Sequence, residues 1–219
     1  MKHLKKILTA ATLVAAASSA SAIQFDLAPA YFTPGSGYSA GGVTDLTKLG
    51  VDFVADTTPR SFTLEVGDTP YSNTFGTVTL DDGEIFRRLG ASFICNGSVL
   101  PCLTTNETDD LGVTATFSFS NPLSGLQTVT ATGTAAYGFI NDAATDFTIT
   151  WADKLVDFGN GGQFKISMDT LQFTFDGQVQ DQTYNIEMVT APIPEPETYA
   201  LMLAGLGLVG FMARRRKQA

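Results

Sequence analysis

Carboxylates offer the main catalytic chemistry in the central part of this sequence. The single histidine, His3, lies at the very start of the chain, so the remainder can build neither a Ser-His-Asp triad nor a histidine-ligated metal site. Four glutamates precede the C-terminal region: Glu65, Glu84, Glu107 and Glu187. A glycoside hydrolase needs two facing acids, but nothing in the spacing selects a pair. We therefore expect no enzyme, no catalytic residue and no cofactor, with a carboxylate-based hydrolase as the alternative.

Two acid-rich segments, residues 81–84 and 106–110, cluster the hard oxygen ligands that calcium prefers. Neither segment matches an EF-hand loop. Asp, Asn and Gly are also the ordinary residues of solvated turns. We therefore expect no bound metal, and a structural calcium ion stays the alternative interpretation of these segments.

Cys95 and Cys102 are the only cysteines of the chain. The residues between them include Asn96, Gly97 and Pro101, which favour a loop. Their spacing is not that of a zinc site or a C-x-x-C redox pair, and in an oxidising compartment two cysteines this close would form a bridge. We expect a disulfide between them, with a dithiol site as the alternative.

The N-terminus has the three parts of a secretory signal. A cationic start over residues 1–6 precedes an apolar run over residues 7–17 and then the small triplet ending in Ala20, Ser21 and Ala22. The apolar run is too short to span a bilayer, and the triplet fits the small-residue rule for cleavage. We predict a signal peptide over residues 1–22, cleaved after Ala22.

A second apolar run covers residues 199–213 and is followed at once by a basic cluster. The cluster consists of Arg214, Arg215, Arg216 and Lys217. Basic residues beside an apolar helix stay in the cytoplasm, and long basic side chains extend the reach of a short helix. We predict a transmembrane helix at about residues 199–213 with a cytoplasmic stop.

Pro194, Glu195 and Pro196 stand just before this apolar run, with Glu197 and Thr198 in between. The order of Pro-Glu-Pro, apolar helix and basic stop closely resembles the PEP-CTERM sorting signal of Gram-negative bacteria. The resemblance covers residues 192–217 and implies an exosortase and the export machinery as partners. It also implies an intermediate anchored in the inner membrane, followed by the cell surface or the extracellular matrix. PEP-CTERM proteins have many unrelated bodies, so the resemblance implies nothing about the fold of the rest.

The body, residues 23–191, alternates apolar and polar residues with period two. Residues 62–66, 113–119, 147–151, 164–168 and 184–188 are the clearest runs, and Asn, Asp, Gly and Pro clusters separate them. No stretch offers a helical crossover, so the strands should be mainly antiparallel. We predict a single mainly β domain, an antiparallel β-sandwich or jelly-roll-like fold with a phenylalanine-rich core.

The body is strongly acidic once both ends are set aside. Six basic residues remain in it: Lys48, Arg60, Arg87, Arg88, Lys154 and Lys165. Such a domain repels nucleic acid, so we expect no nucleic-acid partner. A sugar partner would need exposed aromatic side chains, and the candidates are Tyr31, Tyr38, Tyr71, Tyr137 and Trp151. Trp151 alternates with Phe147 and Ile149, which favours a core position for it over a place on the surface.

These observations predict an exported surface or extracellular-matrix protein that an exosortase sorts. A non-enzymatic structural or adhesive role in a biofilm, in contact with exopolysaccharide, is the leading interpretation. A carbohydrate-binding module on the same scaffold is the alternative.

Overall fold

The computed structural model describes residues 22–39, 47–81, 94–95, 98–99, 102–103, 107–136, 138–139, 144–193 and 196–216. Within these ranges the chain forms sixteen strands and one helix, α1 (Pro196–Arg216). The strands are β1 (Ile23–Pro34), β2 (Tyr38–Ser39), β3 (Leu49–Ala55), β4 (Arg60–Leu64), β5 (Tyr71–Leu80), β6 (Ile94–Cys95), β7 (Ser98–Val99), β8 (Cys102–Leu103), β9 (Gly112–Asn121), β10 (Gly125–Ala135), β11 (Gly138–Phe139), β12 (Phe147–Trp151), β13 (Lys154–Gly159), β14 (Gly162–Met168), β15 (Leu171–Phe173) and β16 (Val179–Thr190).

The long strands form two six-stranded sheets. Sheet 1 has the order β15-β12-β10-β9-β1-β4, and sheet 2 has the order β13-β14-β16-β5-β3-β2. The short strands β6 with β7, and β8 with β11, form two small ribbons. The described pairings are antiparallel except that of β2 with β3, which is parallel. The predicted mainly β, mainly antiparallel architecture is therefore confirmed, with one parallel pair that the sequence did not indicate.

Phenylalanine rings hold the two sheets face to face. Phe25 and Phe119 of sheet 1 have their ring centroids 5.2 Å and 5.3 Å from that of Phe164 in sheet 2. Phe75 of sheet 2 lies 4.8 Å from Phe117 of sheet 1. One hydrophobic core joins both sheets. Burial of each such ring contributes about 1.5–3 kcal/mol to the hydrophobic term that stabilises the fold.

The sequence prediction placed Glu65 and Val66 on a strand, and the structure corrects this placement. Strand β4 ends at Leu64. A turn follows, in which the Asp68 carboxylate accepts the Glu65 N–H at 2.8 Å and Gly67 has a φ of 94°. This conformation is open to glycine and strained for other residues, so the chain leaves the sheet and Val66 stays 47% exposed.

Candidate functional site

The predicted sorting tail leaves the domain from the end of β16. This strand lies inside sheet 2, between β14 and β5. Its last residue, Thr190, pairs with Gln163 beside the tight turn at residues 159–162 that joins β13 to β14. Residues 191–193 then connect the strand to position 194, where the predicted Pro-Glu-Pro motif begins.

Two hydrogen bonds tie this connection to the turn, and we call them the exit contact. The Ile193 N–H donates to the Asn160 carbonyl at 2.8 Å. The Thr190 hydroxyl donates to the Gly161 carbonyl at 2.7 Å. Asn160 and Gly161 have φ values of 52° and 76°, which bend the turn so that these carbonyls point at the outgoing chain. The chain is thus held to the domain up to the residue before the motif.

Helix α1 begins at Pro196, the third residue of the predicted motif. A proline suits the first position of a helix, because its missing N–H would have no partner within the helix. The described side chains from 200 to 212 are all exposed, and a Cβ added at Gly205, Gly207 or Gly210 would meet no atom within 4 Å. The helix therefore buries none of its described apolar side chains on the domain.

No helix among the described residues is both long enough and apolar enough to cross a membrane. The predicted transmembrane helix at residues 199–213 is therefore not confirmed, although these residues are helical and lie within α1. The physical reason is the composition of the run, which is short of the roughly 20 apolar residues of a typical span and includes Gly205, Gly207 and Gly210.

Several predicted site residues lie outside the described residues or at their margin. Pro194, Glu195, Lys217 and the predicted signal segment through Ser21, with Ala20, are outside them. Ala22 is an exposed residue directly before β1. Arg214 is exposed near the end of α1, and the helix closes with Arg215 and Arg216. The proposed cleavage site and cytoplasmic stop therefore stay predictions.

The backbone of both cysteines lies in short strands. Cys95 pairs with Ser98 across the β6–β7 ribbon, and Cys102 pairs with Phe139 across the β8–β11 ribbon. Their side chains fall outside what the structure describes, and no disulfide is found among the side chains that it does describe. The predicted bridge stays a prediction.

The candidate glutamates lie on separate elements. Glu187 on β16 forms a salt bridge with Lys165 on β14 at 3.0 Å, and its hydrogen bond and charge raise the pKa of that lysine. Glu65 lies in the turn after β4. Glu107, expected in a solvated loop, is instead 1% exposed. Glu84 lies outside the described residues.

A small pocket opens between β1, β5, β16 and residues 56–60. Its volume is about 10 Å³, roughly the space of one water molecule. Asp56 is the only carboxylate among its lining residues. Hydrogen bonds from Thr58 and a 2.8 Å ion pair with Arg60 engage this carboxylate and lower its pKa. The pocket thus supplies no pair of facing acids.

The acid-rich segments gather no metal site in the part of the chain that the structure describes. Among those residues, no three His, Cys, Asp or Glu side chains lie close enough together to hold an ion. Asp109 and Asp110 are exposed, and Asp110 accepts a hydrogen bond from the Ser36 hydroxyl at 3.4 Å. Residues 82–84 and 106 lie outside the described ranges.

The candidate aromatic residues for sugar stacking do not form a row among the described side chains. Tyr38 and Trp151 are buried, and burial raises the pKa of Tyr38. Tyr71 is half-buried and stacks on a phenylalanine ring at 3.6 Å between centroids. Tyr31 is exposed on the outer face of sheet 1, whereas Tyr137 lies outside the described residues.

The outer side of sheet 1 carries many hydroxyl groups, a feature that was not predicted from the sequence. We call it the hydroxyl face, and it consists of the Ser and Thr residues of β9, β10 and β12 that point outward and are not buried: Thr114, Ser118, Ser120, Thr128, Thr130, Thr132, Thr134, Thr148 and Thr150. Cross-strand pairing sets these residues side by side, as in Thr130 with Thr114 and Thr132 with Thr150. The signal in the sequence was the strict Thr-x-Thr alternation of residues 128–134.

The hydroxyl face is also uncharged. Strands β9, β10, β12 and β15 contain no Asp, Glu, Lys or Arg at any position. Sheet 2 differs, because Asp52, Asp157, Lys165 and Glu187 lie on its strands. The charged residues that sheet 1 does carry, Asp26 and Arg60, lie on its other two strands, β1 and β4.

The comparison with known protein families matches residues 192–217 to the PEP-CTERM protein-sorting motif. Searches among curated proteins and among solved structures found no match. The matched segment has the boundaries predicted from the sequence, and it begins within the short connection between β16 and α1. By this tail the chain is a PEP-CTERM protein, which implies export and exosortase-dependent sorting to the cell surface.

Proposed function

We propose that this protein is a structural or adhesive component of the bacterial surface or extracellular matrix, and that its β domain is not an enzyme. The sorting tail supports the destination, and the hydroxyl face supports the role. Only three residues, 191–193, separate the end of β16 from the first residue of the Pro-Glu-Pro motif. The tail thus directs sorting, and the domain is the part that is delivered.

The proposed route begins with the N-terminal signal and the export machinery. The apolar side chains of α1, which the domain does not cover, then hold the precursor at the inner membrane. The basic residues from Arg214 onward stay on the cytoplasmic side. An exosortase acts near Pro194, Glu195 and Pro196, and the domain passes to the surface or matrix.

The hydroxyl face supports contact with a neutral, hydroxyl-rich polymer such as an uncharged exopolysaccharide. Each threonine or serine both donates and accepts hydrogen bonds, as each sugar hydroxyl does. An anionic polymer would be repelled by an acidic domain, and a cationic one would favour the charged sheet 2. Without an aromatic row, binding would depend on many weak hydrogen bonds across the face, which suits adhesion to a long chain.

The sorting assignment is tested by changing Pro194, Glu195 and Pro196 together to alanine in the full chain. In a host with an exosortase, we expect precursor to accumulate in the membrane fraction and the surface pool to fall. The matched control changes Glu197 and Thr198 to alanine, outside the motif. Unchanged release of the triple variant would show that the motif does not direct sorting.

The matrix role is tested by placing charge on the hydroxyl face. Thr130→Glu and Thr132→Glu together should reduce co-sedimentation of the released domain with an insoluble neutral β-glucan by about tenfold or more, because contact with the polymer would desolvate the two added carboxylates. The control adds the same charge to sheet 2, through Val54→Glu and Ser72→Glu, at exposed positions. Equal loss in both variants, or no sedimentation of the unaltered domain, contradicts the proposed contact.

A further inference from the structure

The exit contact sets how far the sorting motif can stand from the folded domain. With the contact closed, Ile193 is bound to the turn at residues 159–162, and three residue steps separate it from Pro196. Even a fully extended chain of that length spans only about 10 Å. Helix α1 begins at once beyond it.

An enzyme that encloses the motif needs at least one layer of protein on the domain side of its cleft. One helix with its side chains is about 10–12 Å across, and packed sheets are about 10 Å apart. The reach of the closed connection is therefore no longer than the thickness of such a layer. When Ile193 and Thr190 separate from the turn, six residue steps join Thr190 to Pro196, and the reach becomes about 20 Å.

We infer that the exit contact limits access of the exosortase to the motif, and that the tail is processed from the state in which this contact is open. Thr190 and Ile193 are then positioning residues of the sorting reaction. The inference rests on the proposed function, because it concerns the same processing step.

The exit contact is of a strength that permits such opening. It consists of two hydrogen bonds at the domain surface, and the Ile193 side chain is 69% exposed. Loss of one ordinary hydrogen bond changes an equilibrium by about two- to tenfold. If the open state is the minor one, the processing rate should rise by the same factor.

The experiment compares processing rates of full-length variants by pulse-chase labelling in a host with an exosortase. Thr190→Val removes the donor hydroxyl and keeps the branched shape, and its control, Thr190→Ser, keeps a hydroxyl. Ile193→Pro removes the donor N–H, and its control, Ile193→Val, keeps it. A further variant inserts six Gly and Ser residues between Ile193 and Pro194, which supplies the missing length with the contact intact.

We expect Thr190→Val and Ile193→Pro to be processed about two- to tenfold faster than the unaltered chain, with both controls unchanged. The insertion variant should be fast, and adding Thr190→Val to it should change nothing further. If Thr190 only stabilised the fold, the insertion would not remove the effect of Thr190→Val on the processing rate. If the proline is itself recognised by the enzyme, the Thr190→Val result decides, because that residue lies four positions before the motif.

Two results would overturn the inference. One is processing of Thr190→Val at or below the unaltered rate, while its thermal melt shows a folded domain. The other is an insertion variant that is no faster than the unaltered chain. Failure of the proposed function is distinguished by the alanine variant of the motif: if that variant is released normally, the sorting assignment fails as well.

Discussion

The exposure of individual phenylalanine side chains distinguishes inward from outward positions along the strands of this domain. Phe117 on β9 and Phe173 on β15 are fully buried, whereas Phe175, just beyond β15, is 46% exposed. The same residue type therefore has two environments within one short stretch of chain. This contrast offers a matched test of the core.

Phe117→Ala and Phe173→Ala should each lower the free energy of unfolding by about 3–5 kcal/mol, because each leaves a cavity where a ring was buried. Phe175→Ala should change it by less than about 0.5 kcal/mol. Denaturant unfolding of the three variants measures the difference. A loss at Phe175 that equals the other two would mean that the assigned inward positions are wrong.

Buried polar residues mark the limit of what the sequence predicts at this scale. Alternation correctly predicted a core position for Trp151. Its indole N–H donates to the Gln182 side chain at 2.8 Å, and Gln182 itself is fully buried. These residues are on different sheets, and nothing local in the sequence indicates that a glutamine should be buried there.

Whole strands were predictable where the inward residues are large. Strands β9, β12, β14 and β16 all follow runs in which Phe, Ile, Met or Tyr alternates with polar residues. Their existence follows from period-two hydrophobicity alone. The predicted and observed strands agree there because side-chain direction in a strand is a local property.

Strand β10 escaped prediction because two of its three buried residues are small. Ala131 and Gly133 alternate with threonines, so the strand has little hydrophobic contrast. The reason for the small residues is tertiary: a Cβ at Gly133 would collide with the Tyr38 hydroxyl and the Leu111 carbonyl. The hydroxyl face, which depends on β10, was overlooked for the same reason.

The pairing partners of the strands could not be predicted from the sequence either. Strand β16 lies between β14 and β5, and β5 is about a hundred residues earlier in the chain. Alternation states which face of a strand is inside but not which strand lies beside it. The exit contact is a consequence of this pairing, because Gln163 beside Thr190 brings the 159–162 turn to the outgoing chain.

At the scale of the whole molecule, the two functional features differ in how they are encoded. The sorting tail is a local string of residues, so its boundaries could be predicted without any structure, and the family comparison gives the same range. The hydroxyl face is assembled from three strands, and the exit contact from residues 29 or more positions apart. Features that depend on strand order become visible only when the sheets are known.

The separation of tail and domain leads to a prediction about the processed product. Deleting residues 194–219 keeps the exit contact and removes α1, whose described side chains from 200 to 212 are exposed. The domain should therefore melt at the same temperature as the full chain in the same detergent, because no buried apolar surface is lost. The truncated protein should also no longer associate with lipid vesicles, since the exposed apolar residues of α1 are gone. A melting temperature lowered by several degrees would show that the helix stabilises the domain, and the tail could not then be discarded during sorting without weakening its cargo.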